Sequence, residues 1–203
     1  PDIEFAATGL LARNYLASGQ PGNARRALES LRARFADQGH TRFLPNIDAA
    51  LCRIALHTGD LDSADAWYRE KAPRDPMHLN VMKRYQYLTQ AQVELADGTP
   101  EAALLTLAPL GPYCENCCRY IDGIHVDVLT ALALYRMRRE GWQEKLTRAM
   151  TTAAEFGFIR TLSVYGAAIL PLLAELPWTG NDRWYKRLLA EARLQNANDP
   201  LFL

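Results

Sequence analysis

Three cysteines crowd into the run Cys114-Glu115-Asn116-Cys117-Cys118, and they are the side chains best equipped for chemistry. His125 follows Cys118 at a spacing of two helical turns, on one helix face. Gly111-Pro112 breaks the helix before them, so the cysteines straddle the start of the next one. A thiol there has a lowered pKa, because the positive end of the helix favours the thiolate. Two chemistries suit this set, beside a plain packing role. Cys114, Cys117, Cys118 and His125 make a Cys₃His zinc site conceivable, although the second C-x-x-C pair of a strong zinc motif is missing. Cys114 and Cys117 are spaced for a reversible disulfide. The plainest alternative is three small thiols packed at a junction between helices.

Templates for catalysis are absent. The sequence has no Gly-x-Ser-x-Gly elbow, no His-Glu-x-x-His and no Gly-x-x-x-x-Gly-Lys-Ser/Thr phosphate loop. Its four histidines, His40, His57, His78 and His125, are scattered, with no pair at metal-ligand spacing. Asp60 and Asp62 stand where a helix N-terminus wants a cap or an anion. No enzyme and no cofactor is expected.

The totals narrow the classes further. The 203 residues suffice for one domain with a sizeable core, and 49% of them are hydrophobic, which excludes a disordered chain. Lysine and arginine total 23, as do aspartate and glutamate, so no net positive field draws the chain to phosphate backbones. No run of 18 apolar residues is present, and Pro1 opens the chain without a basic or apolar leader. The crowded cysteines are not spaced as a disulfide framework, which points to a reducing, cytoplasmic compartment. The chain reads as a soluble single domain over residues 1–203, a piece of something longer.

The elements that must hold these residues are helices throughout. Alanine, leucine, arginine, glutamate and glutamine dominate, and strand signals are almost absent. Gly and Pro divide the chain into stretches at about 3–18, 22–37, 42–58, 61–72, 77–97, 100–109, 117–140, 142–156, 159–175 and 182–195. Thr99-Pro100-Glu101 predicts a capped start with proline at the first helical position. Gly157 and Gly180 mark helix ends.

A repeat runs through these stretches. Gly19, Gly59 and Gly98 lie about 40 residues apart and serve as turns inside three hairpins. A small residue precedes each turn (Ala12, Cys52, Ala91). An alanine follows each (Ala24, Ala64, Ala103), and a bulky residue comes after that (Leu28, Tyr68, Leu107). Small side chains let helices cross closely, and the bulky one fills the gap to the next hairpin. Cys52 is therefore a packing residue. Leu134, Gly141, Leu146 and Met150 form a weaker copy, as do Leu173, Gly180, Tyr185 and Leu189.

This pattern resembles the tetratricopeptide repeat (TPR), with longer helices than the standard unit. The resemblance implies an all-α, right-handed solenoid of about five hairpins, whose first helices line a concave binding groove. The position after the small residue then faces the groove, giving Arg13, Arg53, Gln92 and Tyr135. Asn46, His57, Tyr85 and Arg138 lie about a turn away on the same helices. Such a row suits an anionic or hydroxyl-rich ligand or a peptide carboxylate through forked hydrogen bonds; the alternative is a merely solvated helix face. Trp67, Tyr68, Trp142, Trp178, Trp184 and Tyr185 fall at second-helix or turn positions, where packing is the expected role.

Three further stretches are similar to a narrower group. They are Ala50-Leu51-Cys52-Arg53-Ile54-Ala55-Leu56-His57-Thr58-Gly59-Asp60-Leu61-Asp62-Ser63-Ala64, Tyr87-Leu88-Thr89-Gln90-Ala91-Gln92-Val93-Glu94-Leu95-Ala96-Asp97-Gly98, and Phe156-Gly157-Phe158-Ile159-Arg160-Thr161-Leu162. They resemble the helical sensor region of MalT-like regulators, the large ATP-dependent members of the LuxR family. The resemblance covers roughly residues 40–176. It implies an isolated bacterial sensor piece that lacks both the ATPase and the helix-turn-helix. Implied partners are a small-molecule or protein inducer and the other domains of the same regulator. Direct nucleic-acid or membrane binding is not implied, and a homo-oligomer is compatible. The runner-up is a plain protein–protein scaffold; a thiol or metal sensor through Cys114–Cys118 comes third.

Overall fold

In the computed structural model, residues 1–74 and 79–198 are described, with side chains as far as residue 195, and those residues are helical with no strand. The helices are α1 (Asp2–Ala17), α2 (Pro21–Asp37), α3 (Leu44–His57), α4 (Leu61–Lys71), α5 (Arg84–Ala96) and α6 (Pro100–Leu107). They continue as α7 (Leu110–Asn116), α8 (Tyr120–Arg136), α9 (Trp142–Glu155), α10 (Arg160–Ser163), α11 (Gly166–Glu175) and α12 (Asp182–Asn198). Short 3-10 turns at Thr41–Phe43 and Val81–Lys83 lead into α3 and α5.

Each predicted turn glycine takes the left-handed backbone that ends a helix, with φ of 68° at Gly19, 72° at Gly59 and 75° at Gly98. The small positions Ala12, Cys52 and Ala91 are buried, as are Ala24, Ala64 and Ala103. Leu28 and Leu107 are buried after them, and Tyr68 half-buried. Pairs α1–α2, α3–α4, α5–α6 and α8–α9 pack as hairpins, and α3 meets α5, which in turn meets α8. In the fourth copy Gly141 is left-handed at φ 92°, with Leu146 and Met150 buried behind it. Trp67, Trp142 and Trp184 are buried packing residues. Trp178, half-buried, packs against Trp184 and against the half-buried Tyr185.

Several boundaries differ from the sequence reading, each for a local reason. The stretch at 77–97 begins helical structure only at the 3-10 turn of Val81, where the Asn80 side chain accepts from the Met82 amide at 3.0 Å; residues 77 and 78, His78 included, lie outside the described residues. Pro112 does not end a helix but sits within the first turn of α7, where its missing N–H costs nothing. The stretch at 159–175 divides at Gly166, whose φ is 42°. Gly180 lies in the connection between α11 and α12, which pack against each other, but it does not end α11, which stops at Glu175, and it is not left-handed. Asp60 caps α4 as expected, accepting from the Ser63 amide at 3.2 Å. Thr99 does not cap α6 with its side chain; its hydroxyl donates back to the Glu94 carbonyl at 3.0 Å.

Side-chain bonds between hairpins recur at the repeat distance. Asp2 pairs with Arg42, Asn46 with Gln86, and Tyr135 with Glu175, each pair 40 positions apart. Asp48 on α3, with its carboxylate nearly buried, takes Arg32 of α2 at 2.5 Å and Lys71 of α4 at 3.0 Å. Two cations on one nearly buried carboxylate hold α2, α3 and α4 together more firmly than an exposed pair would.

Candidate functional site

The first helices α3, α5 and α8, together with the α10–α11 junction, bring one polar cluster together. Arg53 follows the small residue Cys52 and so leaves the helix crossing toward α5. Its Nε donates to Thr89 Oγ1 at 2.8 Å and its Nη2 to the Tyr85 carbonyl at 3.4 Å, with the guanidinium 4.0 Å above the Tyr85 ring. Thr89 in turn donates to the Tyr85 carbonyl at 2.9 Å. Gln92, next to Ala91, is buried and bonds the Tyr165 hydroxyl; its own carbonyl oxygen has no partner. The same hydroxyl lies 2.8 Å from His125 Nδ1.

Electrostatics make this cluster neutral below and cationic at its rim. Burial pushes the Tyr165 phenol well above its ordinary range. Burial, and then the charge of Arg53, push His125 down to about 3. His125 is therefore a neutral imidazole near pH 7. Arg53 and the exposed Arg13 supply the positive charge that His125 senses, while Asp122 opposes it. Asp122 is itself held by Arg84 at 3.0 Å and Arg119 at 2.6 Å. A surface with Arg13 exposed and Arg53 and Tyr85 half-exposed, and with Gln92, His125 and Tyr165 beneath, can offer donors to an anionic or hydroxylated group.

The sequence-derived residues divide between this cluster and other places. Arg53, Tyr85 and Gln92 converge. Arg13 is exposed and makes one long bond, 3.4 Å, to the Gly9 carbonyl. Asn46 is spent on Gln86, 3.1 Å away. His57 turns into the core, where burial pushes it down to about 4. Tyr135 donates to Glu175 and packs edge-on to Trp142. Arg138 lies exposed in the turn after α8, itself left-handed at φ 54°. The two expected rows are thus one cluster plus bonds that tie hairpins together.

The thiol expectation is corrected. Cys114, Cys117 and Cys118 stand at the C-terminal end of α7, not at the start of α8. Cys114 is buried, and desolvation pushes its thiol up to about 11, opposite to the expected shift. Cys117 and Cys118 are exposed, and His125 faces Tyr165. Among the described residues, no three His, Cys, Asp or Glu side chains group as metal ligands. Cys52 is buried, as its repeat position required.

Sequence reasoning missed Thr89 and Tyr165. Tyr165 stands 40 positions after its partner His125, the same repeat distance as the other ties. An alignment of the fifth copy on Gly180 steps 39 positions from Gly141, whereas the ties from α8 to Tyr165 and Glu175 step 40.

Tandem helical hairpins with left-handed glycine turns and small residues at the crossings define a TPR-like protein. The MalT-like TPR region matches residues 1–177, and the chain belongs to that family. None of the curated proteins and none of the solved structures compared matches it. No helix among the described residues is long and apolar enough to cross a membrane.

Proposed function

We propose that this chain is the effector-sensing and partner-binding part of a LuxR-family transcriptional regulator, a right-handed solenoid of about five hairpins whose groove receives an inducer. The Arg53 cluster carries the reading. Successive hairpins contribute Arg53, Tyr85, Gln92, His125 and Tyr165 to one place, so a ligand there contacts several repeats at once. Binding across repeats favours one curvature of the stack over another, which is how an inducer would move the parent protein between states. The cationic rim and neutral floor fit an anionic or hydroxyl-rich group.

In this reading the domain is non-catalytic and cytoplasmic, and it acts through an inducer and the regulator's other domains. It does not contact nucleic acid directly. A peptide-binding scaffold without an inducer is the second reading, favoured by the half-open setting of Arg53 and Tyr85.

A thermal-shift screen against metabolites, sugars and short peptides tests it. A ligand at 100 times its Kd adds about 2.7 kcal/mol, which raises Tm by about 5–10 °C in a chain of this size. The shift should vanish in Arg53→Ala. Hits with peptides alone would favour the scaffold, and a small-molecule hit untouched by Arg53→Ala would move the site elsewhere.

A further inference from the structure

A second site lies on another face of α5, one residue step around the helix from Thr89 and so about 100° away. There α4, α5 and α6 border an open cleft of about 640 Å³, lined among others by Tyr68, Arg74, Gln90, Glu94, Leu105 and Thr106. Glu94 also lines an adjoining cavity of about 240 Å³. The Glu94 residue is only 3% exposed, and the bonds it makes are lopsided. Oε1 accepts from Gln90 Nε2 at 2.8 Å, from Thr106 Oγ1 at 3.1 Å and from the Tyr68 hydroxyl at 3.1 Å. Oε2, equally buried, has no donor at all, and neither has the buried Gln90 Oε1 one turn before it.

Two buried acceptors without donors, one of them on a carboxylate, are costly to leave unmet. The packing does not require this, since three neighbours already orient the carboxyl through its other oxygen. What the pair lacks is a donor with more than one N–H and a positive charge. The arginines that line the cleft do not supply it: Arg69 is paired with Asp65 at 2.8 Å. Arg74 is turned to the Arg69 carbonyl. Tyr68, half-buried beside Glu94, adds an aromatic wall of the kind that favours a cation.

We propose that this cleft binds a small molecule through a primary aliphatic ammonium, seated on Glu94 Oε2 and Gln90 Oε1. The ammonium's three N–H groups satisfy both oxygens, and its charge offsets that of the carboxylate. This site is separate from the Arg53 cluster and does not depend on the function proposed there. A free diamine and a basic amino acid share the ammonium; they differ in whether a carboxylate end reaches Arg74 at the rim.

Calorimetric titration of the 203-residue chain with 1,4-diaminobutane, with lysine and with erythritol decides the matter. The expected result is binding of at least one ammonium probe and not of erythritol, weakened about tenfold or more by Glu94→Gln. Leu105→Trp, a change at a position 69% exposed on the rim, should block the cleft without touching the buried bonds, so it decides the case if Glu94→Gln folds poorly. Arg53→Ala should leave the binding intact, which separates this site from the other. Failure of both ammonium probes to bind, equal binding of erythritol, or binding indifferent to a folded Glu94→Gln and to Leu105→Trp would each overturn the proposal.

Discussion

His57 and His125 show how one residue type serves two ends in this chain. Both are held neutral by burial, His57 at about 4 and His125 at about 3, while the unfolded chain protonates histidine near 6.5. Above about pH 6.5 neither state binds the proton, so the depressed pKa has no consequence. As pH falls below that value, the unfolded chain takes up protons that the folded chain refuses. The folded state then loses about 1.4 kcal/mol per pH unit for each histidine. Glu94 works the other way. Burial raises its folded pKa, so its contribution is present below the unfolded carboxylate value and is lost as pH rises through the folded one. Two histidines outweigh one carboxyl, and the melting temperature should drop between pH 7 and pH 5. By pH 5 each histidine accounts for about 2 kcal/mol of that loss, because both folded pKa values lie below pH 5. Melts followed by circular dichroism at several pH values check this, with His57→Gln expected to reduce the slope. A flat profile in the wild-type chain would mean that the core accepts a charged imidazole.

At the scale of the helix, backbone and packing can be tested apart. Gly98 is left-handed with nothing within 4 Å of where a Cβ would stand. Gly98→Ala therefore meets only the backbone penalty, about 1 kcal/mol. Ala91 is fully buried where α5 crosses its neighbours, so Ala91→Leu should cost about 1–3 kcal/mol through overpacking. Urea titrations should lower the midpoint for both and leave the slope unchanged; an unaltered midpoint for Ala91→Leu would show that the crossing is loose. These two positions were legible because the repeat dictates them. Glycine must supply φ near 70°, and only a small side chain fits where helices touch. The signal faded where no such constraint acts. Pro112 resembles a breaker but is tolerated in the first turn of α7, and Gly166 splits one apolar stretch without any change in composition. The same limit applied to the site. Arg53 and Gln92 were found from their place beside a small residue, whereas Thr89 and Tyr165 are defined by what they touch across the stack. Cys114 misled for a related reason, since crowding in sequence says nothing about which end of a helix the thiols occupy.

Taken whole, the molecule keeps its core in separate parcels. One cluster of buried side chains runs from Tyr87 to Ala192, while the N-terminal hairpin has its own, from Ala12 to Ile54. Between them, Ala49, Cys52, Ala64, Trp67 and Val93 form a third. A stack in which each hairpin touches only its neighbours has a stability close to a sum of local terms, so its ends open more readily than its middle. The contrast should be large here. Among the hydrophobic residues of α1, only Ala12 is buried, and Ile3 and Leu10 face outward. The helix is tied on by α2, by Phe5 against Phe43 at 5.1 Å and by Asp2 to Arg42, an exposed pair that contributes little. At the other extreme, α8 packs against α5, α6, α7, α9, α10 and α11. Amide hydrogen exchange should therefore find α1 the first helix to exchange and α8 the last, with protection differing about a hundredfold or more. The same gradient bears on the ligand site proposed above, because the Arg53 cluster sits between the N-terminal parcel and the large one. A ligand held there would tie the two parcels together, raising protection in α3 and α5 more than in α9. Equal protection of α1 and α8 would instead mean that the chain opens as a single cooperative unit, and a ligand on Arg53 could then report only by stabilising the whole.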